Sequence, residues 1–179
     1  MKLLILVLAL ILMAEYAFPC NDCNDNTNSI GVGKEWVDAH NSYRRKKGIR
    51  DVHWDERIAK TAQAWADHLA SRCGGLYHDD SSGYGENIAG AWGYSGMKSP
   101  AEVTKMWGKE EQWYNYAKNK CASGKVCGHY TQIVWAKSTA IGCGSAYKIC
   151  QVKNGRSQKK YYFVCRYDPA GNFVGQKPY

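Results

Sequence analysis

Eight cysteines, at positions 20, 23, 73, 121, 127, 143, 150 and 165, constrain this chain more than any other feature. The segment in front of them makes them decisive. Lys2 precedes an apolar run from Leu3 to Met13, with small residues at Ala14 and Ala17. That layout is a secretory signal peptide, too short to span a bilayer. An even cysteine count in a chain addressed to an oxidising compartment reads as four disulfides. The expected product is a secreted, extracellular, stapled domain. Residues 1–17 are the expected signal, with cleavage after Ala14 as the alternative because Glu15 is an awkward neighbour for the peptidase. Residues 18–29 read as a polar tail carrying Cys20 and Cys23, with no strand and helix around that C-x-x-C pair to support a redox motif.

The remaining chain, about 160 residues, suits one domain, expected to be a monomer. Its formal net charge is +8, unchanged by removing Lys2 and Glu15 with the signal. That excess favours contact with anionic surfaces, phospholipid head groups or acidic polysaccharide. A secreted chain without a nucleic-acid-binding motif excludes nucleic acid as a partner, and the lack of a second long apolar run argues against a membrane protein. Arg44-Arg45-Lys46-Lys47 reads as a solvated helix end. No Asn-x-Ser/Thr sequon occurs, so N-glycosylation is not expected.

Trp36, Ala39, His40 and Tyr43 recur at helical spacing between Lys34 and Lys47, and Gly48 ends that helix. A second helix is predicted over Asp55 to Ser71, with Asp55 as cap and Ile58, Ala62, Trp65 and Leu69 on one stripe. A third starts at Ser99-Pro100, where Glu102 completes a capping box. Between Cys73 and Ser99 the chain is rich in Gly, Ser and Asp and reads as a long ordered loop. Strands are predicted over His129–Trp135, Ile141–Tyr147 and Tyr161–Tyr167, with a turn at Asn154-Gly155. Helices first and antiparallel strands after make this an α+β layered domain.

Four residues in separate segments carry the candidate chemistry. Glu110 follows Met106 by four and Trp107 by three, so its carboxylate falls on the apolar face of the third helix and needs a partner. His129 lies among apolar and aromatic neighbours in Gly128-His129-Tyr130-Thr131-Gln132. His78 and Glu86 sit in the loop before it. The plain alternative for each is a satisfied core histidine or a carboxylate capping local backbone.

Gly85-Glu86-Asn87-Ile88, Trp107-Gly108-Lys109-Glu110, the His129 motif and Cys165-Arg166-Tyr167-Asp168-Pro169-Ala170-Gly171-Asn172-Phe173 together resemble the CAP family of cysteine-rich secretory, antigen 5 and pathogenesis-related proteins. The resemblance covers about Ile30 to Tyr179, so 30–179 is the expected CAP domain. Within the family the chain looks most like the short pathogenesis-related class 1 proteins. The resemblance implies a three-layer α-β-α sandwich with an antiparallel central sheet. It implies a cleft tetrad of His78, Glu86, Glu110 and His129, and disulfides Cys73–Cys150, Cys121–Cys127 and Cys143–Cys165.

The family's properties imply a non-enzymatic secreted binding protein in defence or host interaction, with sterol or another lipid as partner. Trp92, Tyr94 and Met97 are the candidate lipid-groove residues. No cofactor is obligatory. Zinc or another divalent cation is the one the tetrad suits, held by His78 and His129 with the carboxylates orienting them; the alternative is a purely hydrogen-bonded polar network. Two other readings compete. One is a metal-assisted hydrolase using Glu86 or Glu110 as base, disfavoured because no nucleophile elbow or His-Glu-x-x-His helix occurs. The other is a precursor of a signalling peptide, since the tail from Pro169 resembles one released by plant members after a Cys-Asn-Tyr junction. Here Arg166 replaces that asparagine, and the competing expectation is that Phe173 and Tyr179 pack on the domain.

Overall fold

The computed structural model describes residues 26–93, 98–152 and 155–179. The signal segment, its cleavage point, Cys20, Cys23, Tyr94, Met97 and Asn154 lie outside the described residues. Helix α1 spans Asn26–Arg45, starting within the segment read as polar tail. It buries Trp36, His40, Asn41 and Arg44, and Gly48 adopts positive φ just beyond its end. Helix α2, Glu56–Arg72, starts where the Asp55 carboxylate accepts from the N–H groups of Arg57 and Ile58, and ends at Cys73 in the left-handed region. Helix α3, Pro100–Gly108, opens with the reciprocal Ser99–Glu102 capping box that the sequence predicts.

The sheet is built of β1 (His53–Trp54), β2 (Gly85–Trp92), β5 (Ala140–Gln151) and β6 (Ser157–Asp168), in the order β1-β5-β6-β2. All its pairings are antiparallel except β1 with β5. A small ribbon, β3 (Tyr114–Asn115) with β4 (Lys120–Cys121), stands apart. Two expectations are corrected. The stretch read as loop between Cys73 and Ser99 contains the edge strand β2; its glycines mask an alternation whose partner, β6, is some eighty residues away in the chain. The predicted strand over His129–Trp135 is instead a short helix, α4, Gly128–Ile133.

The α+β sandwich has three layers. On one face, Ala62, Ala66 and Leu69 of α2 meet Ile88, Tyr162 and Val164 of the sheet. On the other, Trp36, Val103, Trp107, Tyr130 and Ile133 of α1, α3 and α4 cover Ala89, Phe163, Cys165 and Tyr167. Helix α2 lies almost backbone to backbone on β5: a Cβ at Gly142 would fall 2.1 Å from the Ala59 nitrogen, and one at Gly144 2.4 Å from the Gln63 Cα. Among the described residues three disulfides close, Cys73–Cys150, Cys121–Cys127 and Cys143–Cys165. The first ties the end of α2 to β5, and the last joins directly opposed residues of β5 and β6. Such bridges contribute about 2–4 kcal/mol each.

A polar thread runs through the helical side of this core. His40, fully buried, holds the Trp36 carbonyl at 2.8 Å through Nδ1 and the Tyr167 hydroxyl at 2.8 Å through Nε2. With Nδ1 facing a carbonyl, the proton sits there, and Nε2 accepts from Tyr167. Tyr167 in turn accepts from Asn87 Nδ2 at 3.0 Å. Burial, chiefly, pushes the His40 pKa down to about 4, opposed by the Trp36 hydrogen bond. Below pH 6.5 an unfolded His40 takes up a proton that the folded protein refuses until about pH 4. The stability contributed by neutral His40 is therefore complete above pH 6.5 and lost as pH falls toward 4, a total of roughly 3 kcal/mol. Urea titrations across that window are expected to show the decline, and His40→Gln to flatten it.

Candidate functional site

Tyr130, Thr131 and Ile133 are residues that prefer extended backbone, so α4 needs outside support to be a helix. It receives support at both ends. At its start, Glu110 Oε2 accepts from the N–H groups of His129 at 3.0 Å and Tyr130 at 3.2 Å, while Glu110 Oε1 lies 2.7 Å from His129 Nδ1. Glu110 stands in a 3-10 turn, Lys109–Trp113, that continues from α3, and is buried as its spacing predicts. Beyond the other end, Arg44 Nη1 donates to the carbonyls of Ile133 and Trp135, both at 2.9 Å, Nη2 to Ser138 at 2.8 Å and Nε to Arg50 at 2.8 Å. A carboxylate at the N-terminus and a guanidinium at the C-terminus match the helix dipole.

Arg44 corrects the reading of Arg44–Lys47 as a solvated run: its side chain is fully buried and every bond it makes is to a main-chain oxygen. Burial lowers its pKa to about 10, leaving it protonated at neutral pH. The carbonyls it binds come from residues up to 94 positions away, and no local pattern could announce them.

The second pair forms on β2 and the loop before it. His78 Nδ1 lies 2.9 Å from Glu86 Oε1, which also accepts from the Asp79 N–H at 3.1 Å. Glu86 Oε2 accepts from Arg166 Nε at 3.1 Å, and Arg166 Nη2 donates to Asp79 at 2.5 Å. The bond to Glu86 raises the His78 pKa against partial burial. Asp79 is held low, first by the Ser81 hydroxyl and then by Arg166. Arg166, the residue that departs from the family junction, is thus the buried cation between two carboxylates.

The structure groups the four residues as two pairs, with no hydrogen bond between one pair and the other. Glu86 and Asn87 are consecutive in β2 and point to opposite faces, Glu86 with Arg166 on the α2 side and Asn87 toward α4. Asn87 is the link, donating to the His129 carbonyl at 3.1 Å as well as touching Tyr167. His129 itself stacks on Trp107 at 6.0 Å, and Trp107 on Trp36 at 6.0 Å. A cavity of ≈ 420 Å³ begins at His78, Asp79 and Glu86 and reaches round the strand end to Gln132, Gly171 and Asn172.

Both imidazoles turn Nδ1 to a carboxylate, the orientation of metal-binding histidines. Among the described residues, however, no three His, Cys, Asp or Glu groups are placed to hold one ion. The donor set therefore does not fit a closed three- or four-ligand site of the kind zinc takes. Of the candidate lipid residues, Trp92 is half exposed, packing edge-on against Tyr162.

The tail after Pro169 is docked. Ser138 Oγ donates to the Pro169 carbonyl at 2.7 Å, Ala136 N–H to Pro178 at 2.7 Å, and Asn119 to Gln176 at 3.0 Å. Tyr179 stacks on Tyr116 at 4.6 Å and meets the Tyr130 hydroxyl at 3.2 Å. Phe173 tilts against Trp135 but stays half exposed.

Two expectations follow for this site. Arg44→Met removes the side-chain donor from the carbonyls of Arg50, Ile133, Trp135 and Ser138, with Trp135 keeping the Ser138 N–H, and is expected to cost about 3 kcal/mol or more in chemical denaturation, with Glu110→Ala similar in direction. By NMR, His78 is expected to titrate above an ordinary imidazole, and Glu86→Gln to bring it back down.

Comparison with known proteins agrees with this geometry. The profile of the cysteine-rich secretory protein family, CAP, matches residues 37–167. Pathogenesis-related protein 1C of Nicotiana tabacum is 40% identical over 146 residues, 82% of this chain and 80% of its own. Pathogenesis-related protein PRMS of Zea mays is 37% identical over 179 residues, covering 99% and 97%. Among solved structures, Schistosoma mansoni venom allergen-like protein 4 superposes with a TM-score of 0.58 at 24% identity, covering 83% of this chain and 93% of its own. NaASP2, solved with Zn2+, gives 0.59 at 25% identity, covering 88% and 89%. With this sequence match and this sandwich, the chain belongs to the CAP family, among relatives named as pathogenesis-related class 1 proteins.

Proposed function

We propose that this protein is a secreted, non-enzymatic binding protein of extracellular defence whose ligand is a sterol or a lipid of similar shape. The observation that carries the ligand class is a pair of adjoining grooves on either side of Trp54. One, ≈ 380 Å³, sets Val32, Trp36, Trp54 and Ala59 beside Glu56, Lys60, Gln63 and Ser145. The other, ≈ 490 Å³, sets Val37, Val52 and Trp54 among Lys34, Asp38, Arg45, Asp51 and Glu56. Clefts of this size that combine an apolar wall with polar groups are the setting in which small organic ligands are held and oriented, and the Trp54 ring supplies a flat apolar wall to both grooves. The disulfides suit an extracellular chain, and no helix among the described residues is long and apolar enough to cross a membrane.

The disposition of the carboxylates supports a binding role over hydrolysis. Glu110 faces three donors and Glu86 three, so each carboxylate is spent on holding structure. A general base needs a lone pair aimed at water or substrate. The docked tail and the Arg166 ion pairs likewise favour an intact chain over a peptide precursor.

Titration of purified protein with a fluorescent sterol is expected to give saturable binding at micromolar ligand. Val32→Trp, which fills the first groove from an exposed position, is expected to weaken it about tenfold, whereas Trp92→Ala is expected to leave it unchanged. Absence of saturable binding removes the sterol reading, and loss with Trp92→Ala instead moves the ligand to the Trp92 end of β2.

A further inference from the structure

At the end of the sheet remote from His129, the β5–β6 hairpin carries a surface that the ligand reading does not use. Residues 148–160 contain Lys148, Lys153, Arg156, Lys159 and Lys160 and no carboxylate. The acid-free stretch is longer still, from Gln112 to Tyr167. Among the described residues, Lys148, Arg156, Lys159 and Lys160 take part in no ion pair. The same end exposes large apolar side chains on both faces. Tyr147 is 56% and Ile149 64% exposed on one, and Trp92 42% and Leu76 43% on the other.

The cations are interleaved with the rings. Lys159 Nζ stands 4.1 Å from the Tyr147 ring centroid and 5.4 Å from that of Tyr161, and Lys160 Nζ stands 5.2 Å from Trp92. Lys148 and Lys160 also donate to the Ser71 and Cys73 carbonyls at 3.1 and 2.7 Å, and Cys73–Cys150 bolts the hairpin to the end of α2. Among the described residues, the hairpin end thus presents aromatic and aliphatic side chains with lysine ammonium groups over the rings.

We propose that this hairpin end is a docking surface for an anionic phospholipid membrane. Tyr147, Trp92, Ile149 and Leu76 enter the boundary between head groups and acyl chains, and Lys148, Arg156, Lys159 and Lys160 reach lipid phosphates and carboxylates. Charge complementarity selects an anionic partner, and the exposed Ile149 and Leu76 select a lipid surface over a hydrated polyanion. The surface is independent of the Trp54 grooves and stands whether or not a sterol is carried.

The test is co-sedimentation of the full mature protein with vesicles of phosphatidylcholine alone and of phosphatidylcholine with about 30 mol % phosphatidylserine. Binding to the anionic vesicles only, reduced by salt, is expected. Lys148→Glu with Arg156→Glu is expected to weaken it about tenfold or more, and Ile149→Ser about threefold, with the folded circular-dichroism spectrum retained because these three side chains are exposed. Absence of binding, or equal binding to neutral and anionic vesicles, overturns the proposal even where sterol titration succeeds. So does a charge-reversal effect with no change for Ile149→Ser. In that last case, retention of the wild type on polygalacturonate assigns the surface to acidic polysaccharide.

Discussion

The structure depends on one six-residue helix being held by opposite charges at its two ends. Left to its own preferences, Gly128–Ile133 would extend. Glu110 takes up its first N–H groups and Arg44 the carbonyls beyond its last turn, so the segment folds back as α4. Much else is placed by that choice. His129 comes to lie on Trp107, its carbonyl reaches Asn87 in the edge strand, and Thr131 and Tyr130 meet the tail at Asn172 and Tyr179. The Cys121–Cys127 bridge delivers the chain to the start of α4 with little freedom left.

The family motifs and the local signals told different parts of this story. Capping chemistry marked α2 and α3 because Asp55, Ser99 and Glu102 act within a few residues of where they sit. Glu110 was legible as a buried carboxylate from helix phase alone, and the motif resemblance supplied His129 and the His78–Glu86 pair. The helix at α4 was illegible because its cause is an ion at each end, contributed by remote segments. Strand β2 was hidden by Gly85 and Gly90, whose lack of side chains serves close approach to Gln132 and to Trp92. Nothing in the sequence marked the Trp36–His40–Tyr167–Asn87 thread, since each member looks like an ordinary core residue until the sheet brings them together.

In the structure the His/Glu constellation forms two joints. One joins α3, α4 and the edge strand; the other joins the β2–β6 edge to the preceding loop through Arg166 and Asp79. Asn87, reaching from one face of β2 while Glu86 reaches from the other, couples them. Rigid joints of this kind leave the surface grooves and the hairpin end free to differ without disturbing the frame.

Arg44 also has an evolutionary consequence. Its partners are main-chain oxygens, which every residue possesses, so Ile133, Trp135 and Ser138 can be exchanged without altering what the guanidinium sees. The converse is severe. Since no side chain is its partner, losing the guanidinium cannot be answered by a reciprocal change of a partner side chain and requires a new donor brought to the same oxygens.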